Sequence, residues 1–266
     1  MRILVFSTPR LAARALAGEV ARAVSANPRL VLGLPAGRTP IECYRELAAR
    51  CRARRLDLSR VTAFSLDEFV GIAPADPRSY RAFMRRHLFD RLARPPRRVY
   101  FLNGTAADIG AECARYDRAI RRAGGLDLLL LGLGANGHIG FNEPAAALVA
   151  PTHRARLAPA TRRANRSLFG KASAVPPEGL SMGMATILHA KRIVLIATGP
   201  GKASAAARMV NGPLTPRAPA SFLQLHRDVE VWLDRAAASG LRAGAASHPG
   251  RRGRARGPII RPRAAV

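Results

Sequence analysis

Short apolar runs alternate with longer amphipathic stretches along most of the chain. Residues 2–7, 29–34, 61–66, 99–102, 126–133, 192–198 and 229–233 read as strands, most of them bounded by Gly, Pro, Asn or Asp. Residues 11–25, 40–54, 79–92, 109–123 and 202–210 space their apolar side chains as helices do. Within 126–133 the run Leu128 to Leu131 is unbroken, as expected of a strand covered on both faces. This rhythm predicts the α/β class: a three-layer αβα single domain around a mostly parallel, doubly wound, Rossmann-like sheet. The domain is expected to span residues 1–239. Residues 240–266 break the pattern. They are rich in Arg, Gly, Pro and Ala and carry no acidic residue, so they predict a disordered basic tail.

Composition narrows the class. Of 266 residues, 48% are hydrophobic, enough for a sizeable core. No apolar run approaches the ~18 residues of a membrane span, and the opening residues lack a secretory leader's apolar stretch. The expectation is a soluble cytoplasmic protein with no membrane partner. Cys43, Cys51 and Cys113 form no C-x-x-C pair, which argues against a disulfide framework or a zinc site.

Charge adds a second theme. Lys and Arg number 44 against 17 Asp and Glu, a formal net charge of +27, and all but three of the cations are Arg. That excess attracts polyanions without selectivity. The arginines are nevertheless spread along the chain, aromatics are only 5%, and no nucleic-acid-reading motif occurs, so no specific nucleic-acid partner is expected.

In parallel sheets ligands bind beyond the carboxyl ends of the strands, so the residues after each strand carry the chemical reading. Gly33-Leu34-Pro35-Ala36-Gly37-Arg38-Thr39-Pro40-Ile41-Glu42 is either a phosphate cradle or an ordinary capped helix start, with Thr39 as N-cap and Glu42 completing a capping box. Gly199-Pro200-Gly201-Lys202 repeats the glycine turn and adds a cation, Lys202, which could equally be a surface lysine. Asp67 follows a strand directly, where a general base would sit, and Glu68 beside it reads as solvated. The segment Gly132-Leu133-Gly134-Ala135-Asn136-Gly137-His138-Ile139-Gly140-Phe141-Asn142-Glu143-Pro144 sets an amide, an imidazole and a carboxylate into a glycine-rich loop. His138 there reads as a proton-transfer group rather than a metal ligand, because no second His or Cys lies at ligand spacing. Arg162 alone reads as a solvated side chain.

Together these segments, with Ser65-Leu66-Asp67-Glu68-Phe69, Ser79-Tyr80-Arg81-Ala82-Phe83-Met84, Thr161-Arg162-Arg163-Ala164-Asn165 and Ser221-Phe222-Leu223-Gln224-Leu225-His226, resemble the glucosamine-6-phosphate deaminase/isomerase family. The resemblance runs to about residue 238. It implies conversion of glucosamine 6-phosphate and water to fructose 6-phosphate and ammonia in amino-sugar catabolism, with no cofactor and no metal. It further implies that His138 opens the sugar ring, that Asn136 and Glu143 orient it, and that Asp67 moves a proton from C2 to C1. Gly37, Arg38, Thr39, Arg162 and Lys202 would hold the phosphate of the one expected partner, a small sugar phosphate. Self-association into a homo-oligomer is left open. Two alternatives stand: a 6-phosphogluconolactonase-like hydrolase on the same fold, and a non-catalytic sugar-phosphate sensor or nucleic-acid-binding protein. Arg38 and Ala36 depart from the small or hydroxyl residues usual in that turn. Residues 145–156 match poorly the basic and hydroxyl residues of members activated by an amino-sugar phosphate, so little or no such activation is expected.

Overall fold

In the computed structural model, which describes residues 1–241, the apolar runs pair into a single seven-stranded sheet. Its members are β1 (Arg2–Phe6), β2 (Val31–Leu34), β3 (Thr62–Ser65), β5 (Arg98–Tyr100), β6 (Leu128–Gly132), β9 (Arg192–Ala197) and β10 (Val229–Asp234). All neighbours are parallel, in the order β1-β10-β9-β6-β2-β3-β5. The expected tail falls almost wholly on residues 242–266, outside the described residues.

Strand alternation builds the layers. Leu128 and Leu130 of β6 enter one apolar cluster, Leu129 and Leu131 the other, and both pairs are buried. An apolar run without polar interruptions is what a strand with two covered faces requires. The first cluster packs under α1 (Pro9–Ala26), α2 (Thr39–Ala53) and α3 (Tyr80–His87). The second packs under α4 (Ile109–Arg122), α6 (Met184–Leu188), α7 (Ala203–Asn211) and α8 (Arg235–Ala238). Side-chain oxygens start several of these helices: Thr8 accepts from the Leu11 amide, Ser79 from Ala82 and Asp108 from Ala111. The three-layer αβα expectation therefore holds.

A smaller antiparallel sheet was not foreseen. It joins β4 (Asp67–Phe69), β8 (Glu178–Ser181) and β7 (His153–Arg156) in the order β4-β8-β7. The chain passes from the first sheet to the second at Leu66, whose amide donates to the Leu34 carbonyl and whose carbonyl accepts from Met182. The residue that follows is Asp67, opposite Ser181. Between β7 and β8 lies α5 (Pro159–Phe169). The expected helix over 79–92 is also corrected. It breaks at Leu88, and residues 89–91 form a separate 3₁₀ turn. Among the described residues no helix is long and apolar enough to cross a membrane.

Candidate active site

The loop after β6 folds back on itself around His138. Its imidazole lies flat over Gly134, where a Cβ would sit 2.5 Å from the ring carbons and Nε2, so only glycine admits the ring there. His138 Nδ1 lies 3.2 Å from Glu143 Oε2 and 3.1 Å from Thr161 Oγ1. Asn136 joins both ends of this arrangement. Its side-chain amide donates to Glu143 Oε2 at 2.7 Å, and its carbonyl oxygen accepts from the His138 backbone amide at 3.2 Å. Burial pushes the Glu143 carboxyl up, but hydrogen bonds from His138, Thr161 and Asn136 and the imidazole's charge outweigh it and leave it below its ordinary value. A carboxylate on Nδ1 assigns the neutral ring's proton to that nitrogen, and Nε2 keeps its lone pair for a ligand.

Across from this loop stands Asp67. It is buried, and its Oδ1 has no hydrogen-bond partner. Its Oδ2 lies 3.9 Å from where a Cβ on Gly140 would be, two residues beyond His138, so the strand-end carboxylate and the imidazole loop meet. The Ser181 hydroxyl fastens the same corner by accepting from the Phe141 amide at 3.0 Å and from the Asn142 side chain at 3.2 Å. Burial, with the charge of Glu68 beside it, raises the Asp67 carboxyl well above its ordinary range.

Glu68 corrects its solvated reading. It is 2% exposed and accepts from the amides of Phe69 (2.9 Å), Tyr80 (2.8 Å) and Arg81 (2.9 Å), so it ties β4 to the start of α3. Burial raises it to about 7 against the pull of those three donors. Adjacent residues of a strand face opposite ways, so one carboxylate points at the α3 terminus and its neighbour into the site.

The turn after β2 is not the side-chain-capped helix start that the sequence offered as one alternative. Gly37 has φ +110°, which a residue with a side chain rarely adopts. Thr39 is not the N-cap. Arg38 already has helical angles (φ −71°, ψ −38°), so the helix starts one residue early and no side chain caps it. Glu42 therefore completes no capping box and pairs with Arg45. The Thr39 hydroxyl is left out of the helix's own bonding, beside its own amide, which has no intrahelical acceptor; Pro40 has no N–H, and the Ile41 amide donates to the Arg38 carbonyl at 3.3 Å. Tyr44 braces the turn through its hydroxyl on the Pro35 carbonyl at 2.5 Å.

Lys202 belongs to the turn after β9. Burial lowers its pKa, and the nearby Arg38 guanidinium lowers it further. Two cations close enough to repel thus follow the ends of β2 and β9. The amide of Gly199 is not available to a ligand, because it donates to both carboxylate oxygens of Asp234 at 3.0 and 3.1 Å. Arg162 sits on the first turn of α5, next to Thr161. Its guanidinium donates to the carbonyls of Val175 and Ser173, both at 3.2 Å, so its present bonds hold the turn over residues 172–175.

The structure therefore brings together Asp67, Asn136, His138 and Glu143, and separately Gly37, Arg38, Thr39 and Lys202. Arg162 is linked to the first set through its neighbour Thr161. Sequence reasoning missed Thr161 on the imidazole, although it lies in the segment Thr161-Arg162-Arg163 that drew notice for its arginine. Among the described residues no three His, Cys, Asp or Glu side chains come together as a metal-ligand set.

Comparisons with known proteins show the family of the chain. The sequence model of the family described as glucosamine-6-phosphate isomerases/6-phosphogluconolactonase matches residues 8–232. A glucosamine-6-phosphate deaminase of Clostridium botulinum (strain Kyoto / Type A2) is 41% identical over 241 residues, covering 91% of this chain and 99% of its own. One from Halothermothrix orenii is 43% identical over 239 residues, covering 90% and 99%. A solved structure of a monomeric glucosamine-6-phosphate deaminase superposes with TM-score 0.87 at 38% identity, covering 90% of this chain and all of that one. A 6-phosphogluconolactonase from Leishmania guyanensis superposes with TM-score 0.71 at 20% identity over 91% and 99% of the two chains, a likeness of fold alone.

Proposed function

We propose the function of this chain from the family to which it belongs, that of the glucosamine-6-phosphate isomerases and 6-phosphogluconolactonases: it is a glucosamine-6-phosphate deaminase, converting glucosamine 6-phosphate and water to fructose 6-phosphate and ammonia. The observation that carries this reading within the family is Asp67, a buried carboxylate whose Oδ2 lies beside the loop of His138 and whose Oδ1 has no hydrogen-bond partner. An aldose–ketose shift needs a base that reaches two neighbouring carbons. Hydrolysis of a lactone needs only a base on water.

The sugar phosphate is held by its remote end. Arg38 and Lys202 repel one another when the site is empty, and a dianion between them removes that repulsion while the Thr39 hydroxyl and backbone amide donate to its oxygens. Arg162, released from the 172–175 carbonyls, adds a third cation. Anchoring there orients the reacting carbons.

Nε2 of His138 then takes the proton of the C1 hydroxyl and delivers it to the ring oxygen as the bond between C1 and that oxygen opens to the aldehyde, with Glu143 stabilising the charged imidazole between the two transfers. Asp67 removes the C2 proton, giving an enolamine, and returns it to C1. The resulting C2 imine takes up water and expels ammonia, leaving the ketone of fructose 6-phosphate. Burial suits Asp67 to this step, because a carboxylate with a raised pKa is a stronger base near neutral pH.

The test is incubation with glucosamine 6-phosphate and, in parallel, with 6-phosphogluconolactone. The expected result is equal molar release of ammonia and fructose 6-phosphate from the first and no acceleration of hydrolysis of the second. Lactone hydrolysis without ammonia release overturns the reading. Lys202→Met is expected to raise KM for the amino sugar about tenfold or more, the scale of a lost charge-assisted bond, with kcat changed much less.

A further inference from the structure

The opposite end of the sheet holds a concavity of about 860 Å³ that the reaction above does not use. It opens between the first residues of β2 and β3, the edge strand β5 and one face of α4. Half of its lining residues are arginines. Arg29, Arg60, Arg97, Arg98, Arg118 and Arg122 are all exposed, and none has an acidic partner among the described residues. A seventh, Arg115, is neutralised by Glu112, with Nε to Oε2 at 2.6 Å. Asp127, which accepts from the Val31 amide at the margin of the cleft, is itself paired with Lys191 at 2.7 Å. Positions 115, 118 and 122 of α4 share one helical face, so their guanidinium groups stand in a row above the β3–β5 edge.

Six uncompensated guanidinium groups around one concave surface repel each other and focus positive potential into it. Arginine's planar fork of donors matches phosphate oxygens in pairs. Beneath the guanidinium rim the walls are apolar, formed by Val31, Val61, Ala119 and Ala123, with Tyr100 beside them. The volume is that of a small-molecule site. A single-stranded nucleic acid would want successive aromatic platforms. Tyr100 is the one aromatic lining residue, and one face of its ring is already stacked on Phe64 at 4.6 Å.

We propose that this cleft binds a compact polyanion built on a chain of two or more linked phosphates. The ligand's negative charge is shared between the rows of α4 and β5. The chemistry is common to inorganic polyphosphate and to the tail of a nucleoside triphosphate, and the two sources are told apart by experiment. The site lies at the amino ends of the strands, away from Asp67 and His138, so the inference stands whether or not the chain turns over amino sugars.

The test is calorimetric titration of the full chain with inorganic tripolyphosphate and with ATP at about 0.15 M salt, where unselective surface attraction is largely screened. One-to-one saturable binding is expected. The triple variant Arg98→Gln, Arg118→Gln, Arg122→Gln should weaken it at least about tenfold. A control triple variant at exposed arginines elsewhere, Arg14→Gln, Arg54→Gln, Arg227→Gln, should leave it within about twofold, and both carry the same 242–266 segment and the same change in net charge. Equal affinity for the two ligands assigns the site to the phosphate chain alone, and tighter ATP binding assigns it to a nucleotide. Absence of saturable binding, an equal loss in both variants, or displacement of tripolyphosphate by single-stranded RNA at lower phosphate concentration overturns the proposal. Melting curves of the variants check their folding. Protection of Arg98 and Arg118 from phenylglyoxal by tripolyphosphate in the wild-type chain gives a readout that needs no variant.

Discussion

The imidazole and the carboxylate of the candidate site are held in opposite ways. His138 is surrounded: Gly134 lies under its ring, Glu143 and Thr161 meet Nδ1, and Asn136 secures both Glu143 and the His138 backbone. Asp67 is buried as deeply as a core residue, yet Oδ1 meets no donor. Glu68, one residue away, shows what a fully satisfied buried carboxylate looks like there, with three backbone amides on its two oxygens. The contrast separates two tasks. A group that must present one nitrogen in one orientation benefits from every bond to the other nitrogen. A group that must take a proton from carbon needs an uncommitted oxygen and a high basicity, and burial without partners supplies both.

The comparison breaks most visibly at Asp67. Asp67→Asn keeps shape and burial but removes the base, and turnover is expected to fall by at least about 100-fold. Binding of the unreactive reduced analogue, 2-amino-2-deoxyglucitol 6-phosphate, should stay within a few-fold, as measured by calorimetry. On the imidazole side, Gly134→Ala drives a Cβ into the ring and should lower kcat by about 30-fold with KM little changed, the signature of a misplaced reactive group rather than lost binding. Steady-state kinetics on the purified variant checks it.

Glu143→Gln sharpens the same side. It should cost about tenfold in kcat. It also removes a carboxylate held below its ordinary value, whose stabilising contribution is present above the unfolded carboxylate's pKa and lost as pH falls through the lowered one. Melting temperatures of wild type and variant should therefore converge on acidification. Glu68 has the opposite sign. Its carboxyl is raised from 4.5 to about 7, so its contribution is full below 4.5 and declines as pH rises through about 7. Glu68→Gln should flatten that part of the stability profile while destabilising the protein by about 1–2 kcal/mol at acidic pH, because an amide cannot accept from all three backbone donors. Thermal melts between pH 4 and 8 read both effects.

Much of this was legible in the chain. The seven apolar runs became the parallel sheet because its central strands bury both faces, which writes an uninterrupted hydrophobic signal. The His138 loop was legible because glycines crowd around polar residues, and Asp67 because it ends a strand. The second sheet was not. β7 is His-Arg-Ala-Arg and β8 is Glu-Gly-Leu-Ser, each with too few apolar residues to declare a strand; pairing with β4 and the site loop makes them one. Glu68 was misread for a related reason. Two of the three amides that satisfy it, those of Tyr80 and Arg81, belong to another element, and no local pattern announces them. Thr39 followed every rule for an N-cap, but the helical angles of Arg38 moved the helix start and freed its hydroxyl.

The central claim is that Asp67 carries the proton between C2 and C1 of the sugar. Turnover in H2O of glucosamine 6-phosphate carrying deuterium at C2 measures it, with the fructose 6-phosphate formed read by NMR. The account predicts that the wild-type chain delivers the substrate's deuterium to one of the two C1 positions, and that Asp67→Asn forms this C1-deuterated product at least about 100-fold more slowly. Formation of C1-deuterated product by the Asp67→Asn variant at a rate near wild type would contradict it.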